Sequence, residues 1–268
     1  MFANGCVVFK ESHLENMKAV NYLILFGIFC CITVNAQFIN SKGATIKTRF
    51  IVPKGFQRVQ VEQNSFEEYL QNLPLKPDGS EVLYFNGAKK KNNNIYIAVV
   101  DMSVGKADLQ QCADAIMRLR GEYLYFQNRY SEIGFSYVKD GKKRLFSQHK
   151  DKTYQGFMKY MTTTFMYANT RSLKNDLIPK SMNKLSIGDV FIQSGNPYGH
   201  AVIVVDKIVH QTSKEVQYLL AQSYMPAQEI QILLNPNKAV NNPWYSVTSS
   251  TVIETPEWTF YSNDLRTF

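Results

Sequence analysis

Apolar and polar positions change period several times along the chain. From Ser65, SFEEYLQNLPL sets apolar residues at helical spacing behind a residue type that caps helices, and Pro74 ends the run, so a short helix is predicted. EVLYF (81–85) and NIYIAVVDM (94–102) are rich in β-branched and aromatic residues and flank the polar patch KKKNNN (89–94). They read as two strands joined by an exposed loop. A helix is predicted from Asp108 to about Arg129, and a second helical stretch over 153–177 carries Phe157, Tyr160, Met161, Phe165 and Ala168 at helical spacing. Beyond residue 185 the pattern turns to strands: GDVFIQ, HAVIVVDKIVH, VQYLLAQSY, QEIQILL and EWTFY. Helices around a mostly antiparallel sheet predict an α+β fold. The linker candidates at 139–152 and 178–184 are short, which favours one domain.

The segment MKAVNYLILFGIFCCITVNAQ (17–37) departs from this alternation. Lys18 precedes an apolar stretch of about 13 residues, and VNA before Gln37 has the small-residue form of a cleavage site. Residues 1–36 are therefore read as a signal peptide region cleaved after Ala36. The run is short for a bilayer-spanning helix, which takes about 20 residues. Met17 is the better start, because residues 1–16 have neither signal nor fold character. The expected mature chain is one α+β domain over 37–268 with no integral membrane domain, exported to the periplasm, cell surface or medium. With 45% apolar and 13% aromatic residues, the chain can bury a sizeable core. Residues 1–36 carry two lysines and two glutamates, so their loss leaves the formal net charge at +8. A basic exported protein is drawn to anionic polymers, and a cell-wall peptide or another anionic envelope polymer is the expected partner. The sequence carries no nucleic-acid-binding module, and no nucleic acid partner is expected.

Export also changes the meaning of the cysteines. Cys6, Cys30 and Cys31 fall in the segment expected to be lost, which leaves Cys112 as the one thiol and no intramolecular disulfide. In DLQQCADAIMRLRGEYLYF (108–126), Asp108 and Gln111 have capping-box spacing, which sets Cys112 in the first turn of a helix. There the helix dipole and unpaired N–H groups favour a thiolate. The stripe Leu109, Cys112, Ile116, Leu119 and Tyr123 equally fits a small core hydrophobe. On the other face, Asp114, Arg118 and Glu122 have the i, i+4 spacing of a salt-bridged surface.

A second segment bears on that choice. LSIGDVFIQSGNPYGHAVIVVD (185–206) resembles the strand–turn–strand of NlpC-type cell-wall cysteine peptidases and the related CHAP amidases. Gly188-Asp189 matches the glycine–aspartate of the first strand, and Gly199-His200-Ala201-Val202 matches the strand that opens on the catalytic histidine. The resemblance implies a papain-like fold, a helix packed on an antiparallel sheet. It also implies Cys112 as nucleophile, His200 as base, and a polar residue on the next strand, here Gln222 of YLLAQSY, to orient the imidazole. A turn near QTSKE (211–215) would place His200 and Gln222 on one face. Such a trio attacks an amide or ester carbonyl through sulfur, and the acyl-enzyme passes to water or to another acceptor. The segments SFEEYLQNLPLKPDGS, GHAVIVVD, LAQSYMPAQEI and TPEWTFYSNDLRTF carry a wider resemblance. Over nearly all of residues 50–268 the chain is similar to an uncharacterised family of secreted or lipid-anchored bacterial proteins, a domain of unknown function, which implies membership and no activity.

Other candidates add little. Asp206 is an alternative orienting residue at the far end of its strand, and Gln228 lies further off. His149 and His210 fall in loop and turn contexts and read as surface residues. No His, Cys and carboxylate cluster has metal-ligand spacing, and neither a phosphate-binding glycine loop nor a nucleophile elbow is present, so no metal or cofactor is expected. The function expected from these residues is an exported cysteine hydrolase that cleaves an amide bond, with cell-wall peptide as substrate. The alternative is a non-catalytic cell-envelope binding or assembly protein on the same fold.

Overall fold

A computed structural model describes residues 38–268. The segment read as a signal peptide region, with Met17, Cys6, Cys30 and Cys31, lies outside the described residues. The helical spacing becomes five helices: α1 (Ile46–Arg49), α2 (Phe66–Gln71), α3 (Cys112–Phe126), α4 (Tyr154–Tyr167) and α5 (Thr170–Asp176). Ser65 caps α2 as its position predicts, its hydroxyl accepting the Glu68 N–H at 3.1 Å. The single helical stretch expected over 153–177 is two helices. Ala168 is extended, and the Asn169 side chain accepts the N–H groups of Arg171 and Ser172 to start α5. Asparagine competes with the backbone inside a helix and serves better as a cap.

The strands are β1 (Phe56–Arg58), β2 (Tyr96–Val99), β3 (Gly134–Ser136), β4 (Lys143–Leu145), β5 (Ile178–Pro179), β6 (Val190–Gln193), β7 (His200–His210), β8 (Val216–Gln222), β9 (Gln231–Leu233), β10 (Tyr245–Ser246), β11 (Val252–Glu254), β12 (Thr259–Tyr261) and β13 (Leu265–Thr267). Nine of them form one antiparallel sheet in the order β2-β9-β8-β7-β6-β13-β5, with β1 added to β7 and β10 to β8. The α+β class and the large antiparallel sheet read from the sequence are both present. EVLYF is not a strand. Asn86-Gly87 turns the chain back at once, with Gly87 at φ +82°, and the Tyr84 N–H bonds to Ala88. That leaves isolated bridges instead of a ladder. The neighbouring lysine run is not wholly exposed either: the Lys90 N–H bonds to Val82, and its side chain is buried.

The central strand β7 is apolar on both faces because both are covered. Ala201, Ile203 and Val205 join Ala113, Ile116 and Leu119 of α3 in the larger core. Val202 and Val204 join Phe191, Leu220 and Phe260 in a second core under the β11–β12 hairpin.

Helix α3 begins at Cys112, four residues later than the sequence indicates. Asp108 is not its cap. Its carboxylate instead accepts the Gln111 side-chain amide at 3.0 Å and the Ala227 N–H at 2.6 Å, tying this segment to the chain beyond β8. Gln111 takes the cap position, and its N–H donates to Asp114 at 3.1 Å. The face of Asp114, Arg118 and Glu122 is buried rather than solvated. The Arg118–Glu122 pair exists at 2.6 Å, but Tyr154 of α4 covers it and donates to Glu122 at 2.7 Å. Among the described residues, no helix is long and apolar enough to cross a membrane.

Candidate active site

Cys112 is the first residue of α3, and its thiol faces the opening residues of β7. The sulfur lies 4.0 Å from the Gly199 carbonyl, to which it donates. The N–H groups of Ala113, Ala201 and Cys112 itself also face it. The helix start was expected to favour thiolate, but burial acts more strongly. Removal from water, with a smaller contribution from Asp114, pushes the thiol up to about 12, and the three N–H groups only partly offset this. Burial likewise pushes Asp114 up to about 8, so both groups are protonated at neutral pH.

His200 opens β7. Ile203 lies opposite Ala221 and Val204 opposite Leu220, so residues 200, 202, 220 and 222 share a face. The His200 Nε2 sits 2.8 Å from the Gln222 Oε1. Tyr224 meets the imidazole edge-on at 4.8 Å between centroids, with Trp258 at 5.5 Å and Phe260 at 5.8 Å. This apolar enclosure lowers the imidazole to about 4, chiefly by desolvation, so the ring is neutral near pH 7. The Gln222 Nε2 donates in turn to Glu257 at 2.6 Å, and the same carboxylate oxygen accepts the Lys90 ammonium at 2.8 Å.

Strand geometry decides where the thiol and the ring lie. Val204 bonds sideways toward Asp189, next to β6. Odd-numbered residues at this end of β7 therefore direct their polar groups toward β8. The sulfur contacts the Gly199 carbonyl and the Ala201 N–H on that side, and the His200 ring leans the same way to reach Gln222. Cys112 comes from α3, on the Ala201–Ile203 face of β7, whereas the ring lies on the opposite face against Trp258 and Phe260. Among the described residues no hydrogen bond joins them, and the ring Nδ1 has no hydrogen bond. His200 and Gln222 are brought into direct contact, whereas Cys112 reaches the backbone on either side of His200.

The two motif glycines have structural causes. Gly188 has φ +89° beside the Phe66 ring, a backbone shape that favours glycine. A Cβ on Gly199 would meet the Gln193 carbonyl, the Thr170 hydroxyl at 2.6 Å and the Ser194 Cα at 2.9 Å. The chain itself, rather than a ligand, makes the close approach there. Asp189 is bonded to Lys180 at 2.9 Å and to the Ser186 N–H at 2.7 Å, holding the turn before β6. Asp206 is occupied by Arg58 and Gln71, each at 2.8 Å, away from His200. Gln228 is buried and accepts the Ser223 hydroxyl through its backbone. His210 is half-buried against Phe56, and His149 stacks on Phe146.

Sequence reading missed Lys90, Tyr224, Glu257 and Trp258 at this site. Glu257 and Trp258 lie in or beside a segment read only as strand, and Lys90 stands in a run of three lysines that gives no sign which one turns inward. Among the described residues, no group of His, Cys, Asp and Glu is placed to hold a metal ion. A cleft of about 490 Å³ borders the start of α3, lined in part by Leu109, Gln110, Arg118, Tyr154 and Phe165.

A family model described as domain of unknown function (4846) matches residues 46–151 and 137–267. No curated protein and no solved structure matches the chain.

Proposed function

The chain belongs to the family of domain of unknown function (4846), and we propose that it is an exported cysteine hydrolase of papain-like type that cleaves an amide bond in cell-wall peptide. The observation that carries this reading is the His200–Gln222 hydrogen bond of 2.8 Å beside a cysteine at a helix start. It leaves Nδ1 as the imidazole nitrogen available to act as a base. The chain order of cysteine, histidine and polar residue, and the helix packed on an antiparallel sheet, support the papain-like assignment.

Both groups rest neutral, so the chemistry is general-base rather than a standing ion pair. As substrate enters, Nδ1 takes the thiol proton and the sulfur attacks the carbonyl carbon. The N–H groups of Cys112 and Ala113, which face the sulfur at the helix start, would donate to the developing oxyanion. Collapse of the tetrahedral adduct breaks the C–N bond, and the imidazolium returns the proton to the leaving amine. Water, deprotonated by the same ring, then releases the acyl group and restores the thiol. The net charge of +8 supports an anionic envelope polymer as the surrounding of the substrate, and the apolar run of residues 17–36 supports export.

The test is release of peptide from isolated cell-wall peptidoglycan, followed by mass spectrometry. Turnover should fall by on the order of 10²-fold or more in Cys112→Ala and in His200→Ala. Undiminished turnover in Cys112→Ala would end the hydrolase reading. The enclosed thiol favours one second reading, a non-catalytic envelope-binding protein. That reading predicts peptidoglycan binding by wild type and by Cys112→Ala alike, with no products from either.

A further inference from the structure

The hydrogen bonds behind His200 continue past Gln222 to two charged residues that come from distant parts of the chain. Glu257 lies between β11 and β12, and Lys90 precedes β2. Their ion pair of 2.8 Å is largely out of water, with side chains 15% and 3% exposed. Burying such a pair is costly, and it persists only with good geometry and further hydrogen bonds. Here the further bond is the one from Gln222.

We propose that Glu257 and Lys90 are positioning residues that set, through Gln222, which nitrogen of the His200 ring carries the proton. The argument follows from donor and acceptor chemistry. A carboxylate only accepts hydrogen bonds, and the Lys90 ammonium bonds the same Glu257 oxygen that Gln222 reaches. The amide group of Gln222 that faces Glu257 must therefore be its NH₂. Its carbonyl oxygen then faces His200, and the ring nitrogen opposite, Nε2, must donate. A neutral imidazole with the proton on Nε2 carries its lone pair on Nδ1. That is the nitrogen a base needs to take the Cys112 proton. Without Glu257, Gln222 could rotate by half a turn and present its NH₂ to Nε2, which would place the proton on Nδ1 and leave the thiol no base. Trp258, next to Glu257, donates its indole N–H to Gln193 at 2.9 Å and packs on the His200 ring, so the segment that brings the carboxylate also fixes the ring plane. The consequence for turnover rests on the hydrolase reading; the ring protonation does not.

Nitrogen-15 NMR of histidine-labelled protein near pH 7 reads the ring directly, because protonated and bare ring nitrogens resonate far apart. The His200 signals are assigned by their loss in His200→Gln. Wild type should show Nε2 protonated and Nδ1 bare. Glu257→Gln, which can either donate or accept, should mix the two tautomers. Lys90→Met should shift the ring toward Nδ1–H, because it removes the cation that holds the Glu257 oxygen against the Gln222 amide. Lys90→Arg should keep the wild-type pattern. In the first two variants, Cys112-dependent turnover should fall by on the order of 10²-fold. A bare Nε2 in wild type overturns the inference without any variant. So does an unchanged Nε2–H ring in a folded Glu257→Gln or Lys90→Met protein, with folding judged by thermal melting. If the tautomer shifts as expected but wild type has no Cys112-dependent turnover, the positioning inference stands and the hydrolase reading falls.

Discussion

The reactivity of Cys112 toward a small electrophile tests the neutral resting state most directly. An ordinary thiol, near 8.5, is about 3% thiolate at pH 7. A thiol pushed up to about 12 is ionised there to roughly one part in 10⁵, on the order of 10³-fold less. The more basic thiolate is also the better nucleophile. With a Brønsted slope of about 0.4–0.5, that returns a factor of roughly 30 to 50. The net expectation is alkylation slower by on the order of 10² than in the unfolded chain, before any further loss from limited access to a side chain that is 5% exposed. The assay is iodoacetamide labelling followed by mass spectrometry from about pH 5 to pH 10, in buffer and in concentrated urea. In the folded protein the rate should climb roughly tenfold per pH unit, with no plateau on the acid side. A plateau near pH 5 to 6 that vanishes in His200→Ala would mean a preformed thiolate–imidazolium pair. It would refute the conclusion that burial outweighs the helix dipole at this site.

Two further substitutions probe the same region. His200 and Asp114 should give stability–pH slopes of opposite sign. For His200 the folded value, about 4, lies below the ordinary 6.5, so its contribution is full above pH 6.5 and is lost as pH falls toward 4, by about 3 kcal/mol. For Asp114 the folded value, about 8, lies above the ordinary 3.8, so its contribution is full below pH 3.8 and is lost as pH rises toward 8, by about 6 kcal/mol. Urea midpoints at about pH 4.5, 6.5 and 8.5 should show stability that no longer falls toward pH 8.5 in Asp114→Asn. Parallel curves for wild type and Asp114→Asn would refute a buried protonated carboxyl. Gly199→Ala drives a Cβ into the Gln193 carbonyl and the Ser194 backbone, and it should cost about 1–3 kcal/mol by urea denaturation. A cost under about 0.5 kcal/mol would mean that packing does not explain this glycine.

What the sequence made legible was what short-range pattern controls. β7 was read with the bounds it has, because His200–His210 is rich in β-branched residues between a glycine and a turn. The hairpin of β7 with β8 through a turn at 211–215 was legible too, but that turn and a period of two do not by themselves put His200 and Gln222 on one face. The pairing runs from the turn to Asp206 opposite Leu219, and the β-bulge between Val204 and Asp206 then shifts it by one residue, which is what brings His200 onto the face of Gln222. The buried face of α3 was misread because Asp114, Arg118 and Glu122 have the same spacing whether water or Tyr154 lies over them. Periodicity records which residues share a side, not what covers that side.

The cysteine illustrates the limit most clearly. Its place at a helix start is a local property, and the sequence supplied it correctly. The sign of its pKa shift is not local. A helix terminus contributes about 0.3–1 kcal/mol to a nearby charge, and at most about 2. Desolvation of a fully enclosed group is worth several pKa units, each about 1.4 kcal/mol. Enclosure comes from β7, from Tyr224 and from the loop after β8, which are 87 or more residues away. The ion pair behind Gln222 is the same case at greater range, joining residues 167 apart. A charged residue in a lysine run and another in a strand-like segment acquire a role only once the hairpin folds over the sheet. The three residues that would do the chemistry were visible one at a time, while the environment that sets their protonation is a product of the fold.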